Sequence, residues 1–269
     1  MALINLHNHS SFSDGTLPPE HLARVAKKAG LNYFSLTDHD MTGGWDEMET
    51  ALKLEGIAYC YGVEISTGLC ENLHILGYGI NPRDSALNVK LEEYRGRRAL
   101  RIKKILGLLD GLGIHIDFEE LPVPAGRTVG RPHVADVLKS RKIVSGRSQA
   151  FARFLAPGRP AYVPPNGPSV EETIAVINAA GGKAVLAHPG TAAKHLDLPA
   201  WKDAGLAGIE AFYPAHSGAA TREFINLASR YGLFVTAGID FHGPGSDRDK
   251  MWGFEYKDEF FSEIKKVFV

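Results

Sequence analysis

The chain has 269 residues, of which 44% are hydrophobic and 23% charged, and its formal net charge at pH 7 is -1. This apolar content can build the core of one large α/β domain, or of one domain that carries a smaller insertion. A net charge near zero argues against attachment to nucleic acid or membranes through bulk charge, and no apolar run reaches the roughly 18 residues of a membrane-spanning helix.

The elements predicted along the chain alternate between short β-branched or aromatic runs and amphipathic helical stretches. In chain order we predict strand 4–6, helix 19–29, strands 33–37, 57–65 and 73–78, helices 85–112, 133–141, 148–155 and 170–180, strands 184–187 and 209–213, helix 220–230 and strand 234–239. Such alternation predicts parallel strands with covering helices, in an open sheet or a barrel.

The middle of the chain interrupts this alternation with consecutive helices. We interpret 85–165 as a helical insertion between 1–84 and 166–269, which together form the main domain. Between Lys90 and Arg159 there are 15 Lys or Arg and 7 Asp or Glu, a local charge of +8 that leaves -9 for the remainder. This asymmetry indicates either a basic module for an anionic ligand beside an acidic module for cations, or solvated helix faces.

The cysteines give no sign of an oxidising compartment. Cys60 and Cys70 form neither a metal-binding nor a disulfide pattern. The residues before His7 contain no apolar signal-peptide segment, so we expect a cytoplasmic protein. Nothing in the sequence predicts the oligomeric state.

Ionisable side chains occur where the predicted strands end. His7 and His9 follow the first strand, and Asp240 and His242 close the last. A spacing of two residues on an extended chain directs both side chains to one side. Because the carboxyl ends of parallel strands form the ligand-binding edge of α/β folds, we expect these groups to converge with others near strand ends. The others are Asp14, His39, Glu64, His74 and His188.

A group of this size favours a metal site over isolated core histidines. Burying so many ionisable groups together is costly unless cations compensate their charge. A lone His is more often a hydrogen-bonded core residue, but two closely spaced pairs with further strand-end groups argue against that alternative. Imidazole with carboxylate suits Zn, Mn or Fe, and the choice among these stays open. Asp38 and Asp40, which flank His39, either orient that side chain or are solvated.

Seven short motifs occur in a fixed order: His7-Asn8-His9-Ser10, Ser13-Asp14-Gly15, Thr37-Asp38-His39, Gly62-Val63-Glu64, Leu73-His74, Ala187-His188-Pro189 and Asp240-Phe241-His242-Gly243. Their order and spacing resemble those of the PHP (polymerase and histidinol phosphatase) family over nearly the whole chain. The sequence Gly130-Arg131-Pro132-His133 within a helical insertion is similar to the stand-alone phosphoesterases that act on nucleotides. The resemblance implies a distorted (β/α)7 barrel with a substrate-capping helical insertion.

The resemblance also implies two or three divalent ions (Mn, Fe or Zn) and their ligands. Carried over by position, the ligands are His7, His9, Glu64 and Asp240 for one ion, Glu64, His74 and His188 for a second, and Asp14, His39 and His242 for a third. One departure is Ile239, where this branch usually has Ser before the Asp. Ile239 is not a ligand position, so the departure puts a supporting hydrogen bond in question rather than the metal.

The function implied by the resemblance is hydrolysis of nucleotide phosphate esters by a metal-activated hydroxide. We predict a 3',5'-bisphosphonucleotide phosphatase or a 5'-to-3' exonuclease on short oligonucleotides, without stable binding of duplex nucleic acid. Arg131 is the predicted phosphate clamp, because a guanidinium binds phosphate in a bidentate manner. His133 and His216 resemble substrate-contact positions, and one of them is expected to assist the leaving oxygen. Alternatively, Arg131 is a surface charge and His133 a helix-start residue.

Two other functions stay open from the sequence. A histidinol-phosphate phosphatase would share the metal ligands, but its small substrate would not need a basic module. A non-catalytic metal-binding PHP module is a different class of protein, and such modules usually lack several ligands. Here every expected ligand is present.

Overall fold

Two β-sheets form the centre of the fold, which a computed structural model describes for residues 2–269. The strands are β1 (Leu3–Asn5), β2 (Leu31–Phe34), β3 (Ala58–Tyr59), β4 (Gly62–Ser66), β5 (His74–Tyr78), β6 (Lys183–Leu186), β7 (Gly208–Phe212), β8 (Phe234–Ala237) and β9 (Phe254–Glu255). The first sheet has the order β3-β2-β1-β9, and the second has the order β4-β5-β6-β7-β8. The predicted mixed α/β class is confirmed.

Helices pack against these sheets and make up most of the middle of the chain. They are α1 (Pro19–Lys28), α2 (Trp45–Glu55), α3 (Ser85–Asp110), α4 (Arg131–Ser140), α5 (Arg147–Ala150), α6 (Val170–Ala179), α7 (Leu198–Asp203), α8 (Gly218–Tyr231) and α9 (Asp258–Lys265). The predictions include neither α2 nor the two short helices α7 and α9. Within the described residues, none of these helices is long and apolar enough to cross a membrane.

Two strands, β5 and β9, depart from the predicted parallel arrangement, and β9 is antiparallel to β1. β5 is antiparallel to both β4 and β6, whereas β6, β7 and β8 run parallel to one another. The connection between Ser66 and His74 is too short for the crossover of a dozen or more residues that a parallel pair needs. Because β5 is reversed, its first residue lies at the same end of the sheet as the last residues of the parallel strands.

The single strand predicted at 57–65 is also wrong, because two strands in different sheets occupy that range. β3 pairs with β2, and β4 pairs with β5. The chain passes from one sheet to the other at Gly62, where an added Cβ would overlap Ser35 Oγ. The break therefore depends on a close approach between distant segments.

The two sheets also contact each other through the segments that follow β1 and β2. Leu6 N–H donates to Ala237 O at 2.9 Å, and Asn8 forms a parallel bridge with Phe241. At the other edge, His39 forms a parallel bridge with Glu64. These main-chain contacts continue the strands and fix the polar residues that follow them at one end of both sheets.

α3 connects the sheets to a second hydrophobic cluster. Its first half buries Leu87 and Leu91 in the core of the five-stranded sheet, and its second half buries Ile105 and Leu109 against α4 and the segment that follows it. The helix begins at Ser85 because the Asp84 side chain accepts a hydrogen bond from Leu87 N–H at 2.8 Å. The boundaries of the insertion at 85–165 stay a prediction.

Gly96 tests the stability of this helix. It lies inside α3, and an added Cβ would meet no atom within 4 Å. We expect Gly96→Ala to raise the free energy of unfolding by about 0.5–1 kcal/mol, since alanine loses less backbone entropy in a helix. Urea titration measures the change. Gly56→Ala is the matched control: its surroundings are equally open, but its φ of +66° should make that substitution destabilising.

Candidate active site

The nine residues predicted as metal ligands come together at one end of the two sheets. His7 and His9 follow β1, and Asp240 and His242 follow β8. His74 is the first residue of β5, and the reversal of that strand brings it to the same end. His39 follows β2, Glu64 lies within β4, His188 follows β6, and Asp14 lies in the loop before α1.

Three groups of these side chains have potential ligand atoms within 4.8 Å of one another. The groups are His7, His9, Glu64 and Asp240; His9, Asp14, His39 and His242; and His39, Glu64 and His74. The first contains the same residues as the first predicted ion site. The second contains all of the predicted third set with His9 added, and the third contains two of the three residues of the predicted second set, with His39 in place of His188. The assignment of particular ligands to particular ions stays a prediction.

Glu64 is at the centre of the cluster. Its Oε1 lies 3.3 Å from His7 Nε2, 2.8 Å from His74 Nδ1 and 3.2 Å from His188 Nε2. Its Oε2 lies 3.2 Å from His9 Nε2 and 3.1 Å from His39 Nδ1. The carboxylate is only 1% exposed, so one buried anion faces five imidazole rings.

Several buried atoms of the cluster lack a hydrogen-bond partner within residues 2–269. They are His7 Nε2, His9 Nε2, Asp14 Oδ1, Glu64 Oε2 and Asp240 Oδ1. An unsatisfied buried polar atom costs about 1–3 kcal/mol, so these atoms require another partner. They are imidazole nitrogens and carboxylate oxygens, which are good ligands for Mn, Fe and Zn. The residues therefore fit divalent cations.

Burial and charge shift the pKa values of the cluster in opposite directions. Burial lowers the pKa of His9, but the carboxylates of Asp240 and Glu64, which lie 3.1 and 3.2 Å from its Nε2, raise it to about 10. Burial lowers the pKa of His39 well below its usual value, although Glu64 and Asp14 oppose the shift. Burial would raise the pKa of Asp240, but Arg248 and His7 hold it well below its usual value. A cation would therefore have to displace a proton from His9, whereas His39 is already neutral and would bind a cation without losing a proton.

Glu210 supports the cluster from behind and is not among the residues predicted from sequence. Its Oε1 lies 3.1 Å from His7 Nδ1, and its Oε2 accepts the His188 main-chain N–H at 2.8 Å. The side chain is fully buried, so this carboxylate orients two predicted ligands at once. The available signal was a charged residue in the middle of an apolar strand.

Asp38 and Asp40 are both buried, so the solvated alternative does not apply to them. Asp38 accepts hydrogen bonds from the Ser10 and Ser13 hydroxyls, both at 2.6 Å, and thereby holds the loop that follows His9. Asp40 pairs with Arg98 Nε at 3.0 Å. These carboxylates organise the segments around the predicted ligands.

The backbone is strained at three positions around the cluster. Asp40, His188 and Asp240 have φ values of 49°, 29° and 55°, in a region that favours glycine. Such conformations persist only where the surrounding structure stabilises them, and they concentrate at functional sites. The strain at His188 and Asp240 places two predicted ligands off the regular path of their strands.

A cavity of about 300 Å³ adjoins the cluster. Asp14, His39 and Glu64 are among the cluster residues that line it. Its other walls include the arginines Arg98, Arg101, Arg131, Arg147 and Arg248. Arg131 is therefore in the cavity, where its Nη2 donates to Glu71 Oε2 at 2.6 Å, and its predicted role as a phosphate clamp stays a prediction.

The two histidines predicted to contact substrate have different surroundings. His133 is buried at the start of α4, and its Nδ1 accepts from Gly130 N–H at 3.0 Å, which leaves Nε2 as the ring's donor. His216 Nδ1 donates to Ala211 O at 2.9 Å and its Nε2 accepts from Gly190 N–H at 3.2 Å. Both nitrogens of His216 thus hold main-chain segments, and the substrate roles of the two residues stay predictions.

Gly238 lies directly against His7 and against Glu210, the carboxylate that orients the His7 ring. An added Cβ would overlap both His7 Cβ and Glu210 Oε1. We expect Gly238→Ala to weaken metal binding about 10- to 100-fold, the usual effect of disturbing the groups that orient a ligand. Metal titration of the purified variant measures this. Gly96→Ala is the control, and equal affinities in the two variants would contradict the prediction.

Known proteins resemble this chain in sequence and in overall structure. Residues 5–108 match the PHP domain family. The chain is 35% identical over 254 residues to the 3',5'-nucleoside bisphosphate phosphatase of Chromobacterium violaceum, covering 91% of this chain and 89% of that protein. It is 33% identical over 249 residues to a 5'-3' exoribonuclease of Haemophilus influenzae, covering 89% and 90%. A solved structure assigned as a metal-dependent phosphoesterase, from Bifidobacterium adolescentis, has a TM-score of 0.88 at 31% identity, covering 98% and 96%.

The mixed α/β fold and the clustered His, Asp and Glu side chains define a metal-dependent phosphoesterase. The chain belongs to the PHP family, as its ordered motifs predict. It is a hydrolase of phosphoric esters, and the predicted enzyme class is confirmed.

Proposed function

We propose that the protein hydrolyses a phosphate ester of nucleotides that carry a second phosphate. The substrates would be 3',5'-bisphosphonucleotides or the 5' ends of short oligonucleotides. The observation that carries this proposal is one cavity lined by the metal-ligand cluster and by several arginines. The activities named for the relatives from Chromobacterium violaceum and Haemophilus influenzae support the same substrate class.

We propose His7, His9, Asp14, His39, Glu64, His74, His188, Asp240 and His242 as ligands of two or three divalent ions. Bound Mn, Fe or Zn would supply hydroxide at neutral pH and neutralise phosphoryl oxygens as charge develops. Arg131 would bind a phosphate that is not cleaved. His133 keeps its proton on Nε2, because its Nδ1 accepts from Gly130 N–H, so this neutral ring would assist the leaving oxygen by donating a hydrogen bond to it.

Two proposals about the architecture follow from the resemblance to the PHP family. The main-chain contacts between β1 and β8 and between β2 and β4 support a distorted (β/α)7 barrel whose strand order is β1-β2-β4-β5-β6-β7-β8. The hydrophobic cluster built by the second half of α3 and α4 supports a separate helical subdomain at 85–165. Because Arg101 and Arg131 of that segment line the cavity, it would cap the substrate.

Metal analysis coupled to substrate comparison tests the proposal. We expect more than one equivalent of Mn, Fe or Zn, and phosphate release from adenosine 3',5'-bisphosphate that stops with a chelator and returns with Mn. Histidinol phosphate is the comparison substrate, because it has only the phosphate that is cleaved and no second phosphate for the arginines to bind. Faster turnover of histidinol phosphate than of the bisphosphate would contradict the proposed substrate class and favour a histidinol-phosphate phosphatase.

A further inference from the structure

Glu71 lies between two arginines in the cavity, outside the cluster of predicted metal ligands. Its Oε2 accepts from Arg131 Nη2 at 2.6 Å, and its Oε1 accepts from Arg101 Nη2. The three side chains are only 10–14% exposed. One carboxylate therefore spans two guanidinium groups, with one oxygen for each, which is how a bridging anion such as phosphate is bound.

Both arginines have anchors that do not involve Glu71. Arg101 donates to Val163 O from Nε at 2.9 Å and from Nη2 at 2.7 Å. Arg131 donates from Nη1 to Leu155 O at 3.3 Å, and its guanidinium lies 5.1 Å from the centre of the Phe151 ring. The guanidinium groups would keep their positions if the carboxylate moved away, so Glu71 is the exchangeable partner.

The charges around Glu71 do not balance. Two guanidinium groups share one carboxylate, and the neighbouring Arg98 already pairs with Asp40. Burial lowers the pKa of Arg131 to about 10, against the opposing effect of Glu71, so this cation is strongly desolvated. A phosphate dianion carries more charge and more acceptor oxygens than a carboxylate, and would bind these two groups better.

We propose that the Glu71 carboxylate occupies the subsite for the substrate's second, uncleaved phosphate and leaves Arg101 and Arg131 when that phosphate binds. Glu71 is thus a specificity-determining residue, because only a group with sufficient negative charge displaces it. An uncharged part of a substrate would leave Glu71 bound to Arg101 and Arg131. The proposal deepens the proposed function, since it rests on a substrate that carries two phosphates.

Titration of the full-length, chelator-treated protein with inorganic phosphate tests the exchange directly. We expect Glu71→Gln to bind phosphate about tenfold more tightly than the unaltered protein, because the anion no longer displaces a charged acceptor. Glu93→Gln, which removes a surface carboxylate from α3, is the matched control and should bind as the unaltered protein does. The tighter phosphate binding of Glu71→Gln should disappear when Arg131→Ala is added. This result would show that the phosphate binds at Arg101 and Arg131.

Kinetics of the Mn-loaded enzyme give a second measurement. Glu71→Gln should lower KM for adenosine 3',5'-bisphosphate about tenfold, with a much smaller change for p-nitrophenyl phosphate. If Glu71→Gln does not fold, Glu71→Asp keeps the charge, is too short to span both arginines, and should shift phosphate affinity in the same direction.

Unchanged or weaker phosphate binding in these variants overturns the exchange and leaves Glu71 as an ordinary support for the arginines. A failure of the proposed function would appear differently, as no turnover of the bisphosphate by the unaltered protein. The phosphate titration would still decide between the two roles of Glu71.

Discussion

Glu64→Gln should remove most of the bound metal and reduce kcat/KM by roughly a thousandfold, which corresponds to about 4 kcal/mol of lost transition-state stabilisation. The reason is the position of this carboxylate, whose two oxygens face five imidazole nitrogens within 3.3 Å. The amide keeps the size of the side chain but loses its negative charge. Metal analysis and initial rates with saturating Mn measure the two effects.

The control for Glu64→Gln is Glu93→Gln, which makes the same chemical change on the exposed face of α3. That variant should keep its metal and its activity. Thermal unfolding of both variants shows whether any loss comes from misfolding. A folded Glu64→Gln protein with a full metal complement and activity within about threefold of normal is incompatible with a central ligand role for Glu64.

Glu210→Gln should weaken metal binding about 10- to 100-fold, with activity partly restored by excess Mn. Glu210 touches two predicted ligands, through His7 Nδ1 and the His188 main-chain N–H, without belonging to any of the groups of clustered ligand atoms. The amide has only one acceptor oxygen. If that oxygen accepts from His188 N–H, the NH2 group faces His7 Nδ1 and favours the tautomer with its proton on Nε2; if it accepts from His7 Nδ1–H, the His188 N–H loses its acceptor. Activity as a function of Mn concentration measures the effect.

Thr236→Val is the matched control for Glu210→Gln. Thr236 is opposite Glu210 in the β7–β8 pair and is equally buried. A general disturbance of this part of the sheet would affect both variants alike. A Mn requirement that shifts equally in the two would show that Glu210 contributes packing rather than ligand orientation.

The convergence of the predicted ligands could be foreseen because its signal is local. Pairs such as His7 and His9 stand at strand ends, where a polar residue after an apolar run is easily recognised. The parallel-strand rule then brings together residues that are distant in sequence. His74 lies at the same end of the sheet as the others even though β5 is antiparallel, because this residue begins its strand instead of ending it.

Partners such as Glu210 and Glu71 could not be predicted, because their roles depend on side chains that are distant in sequence. Glu210 meets His7 across 203 positions of the chain, and Glu71 meets Arg131 across 60. A single charged residue within a strand or loop does not reveal its partner. The break between β3 and β4 was hidden for the same reason, since it reflects the approach of Ser35 to Gly62.

The reversal of β5 also determines where α3 begins and which way it runs. Tyr78 ends at the far side of the sheet from the cluster, so α3 starts there and travels back along the fold, rising about 1.5 Å per residue. Its early turns are fixed in the core, and Arg98 and Arg101 emerge at the level of the cavity. A helix anchored in the core therefore fixes Arg101 relative to the cluster, and we expect the enzyme to favour substrates whose two phosphates match that separation.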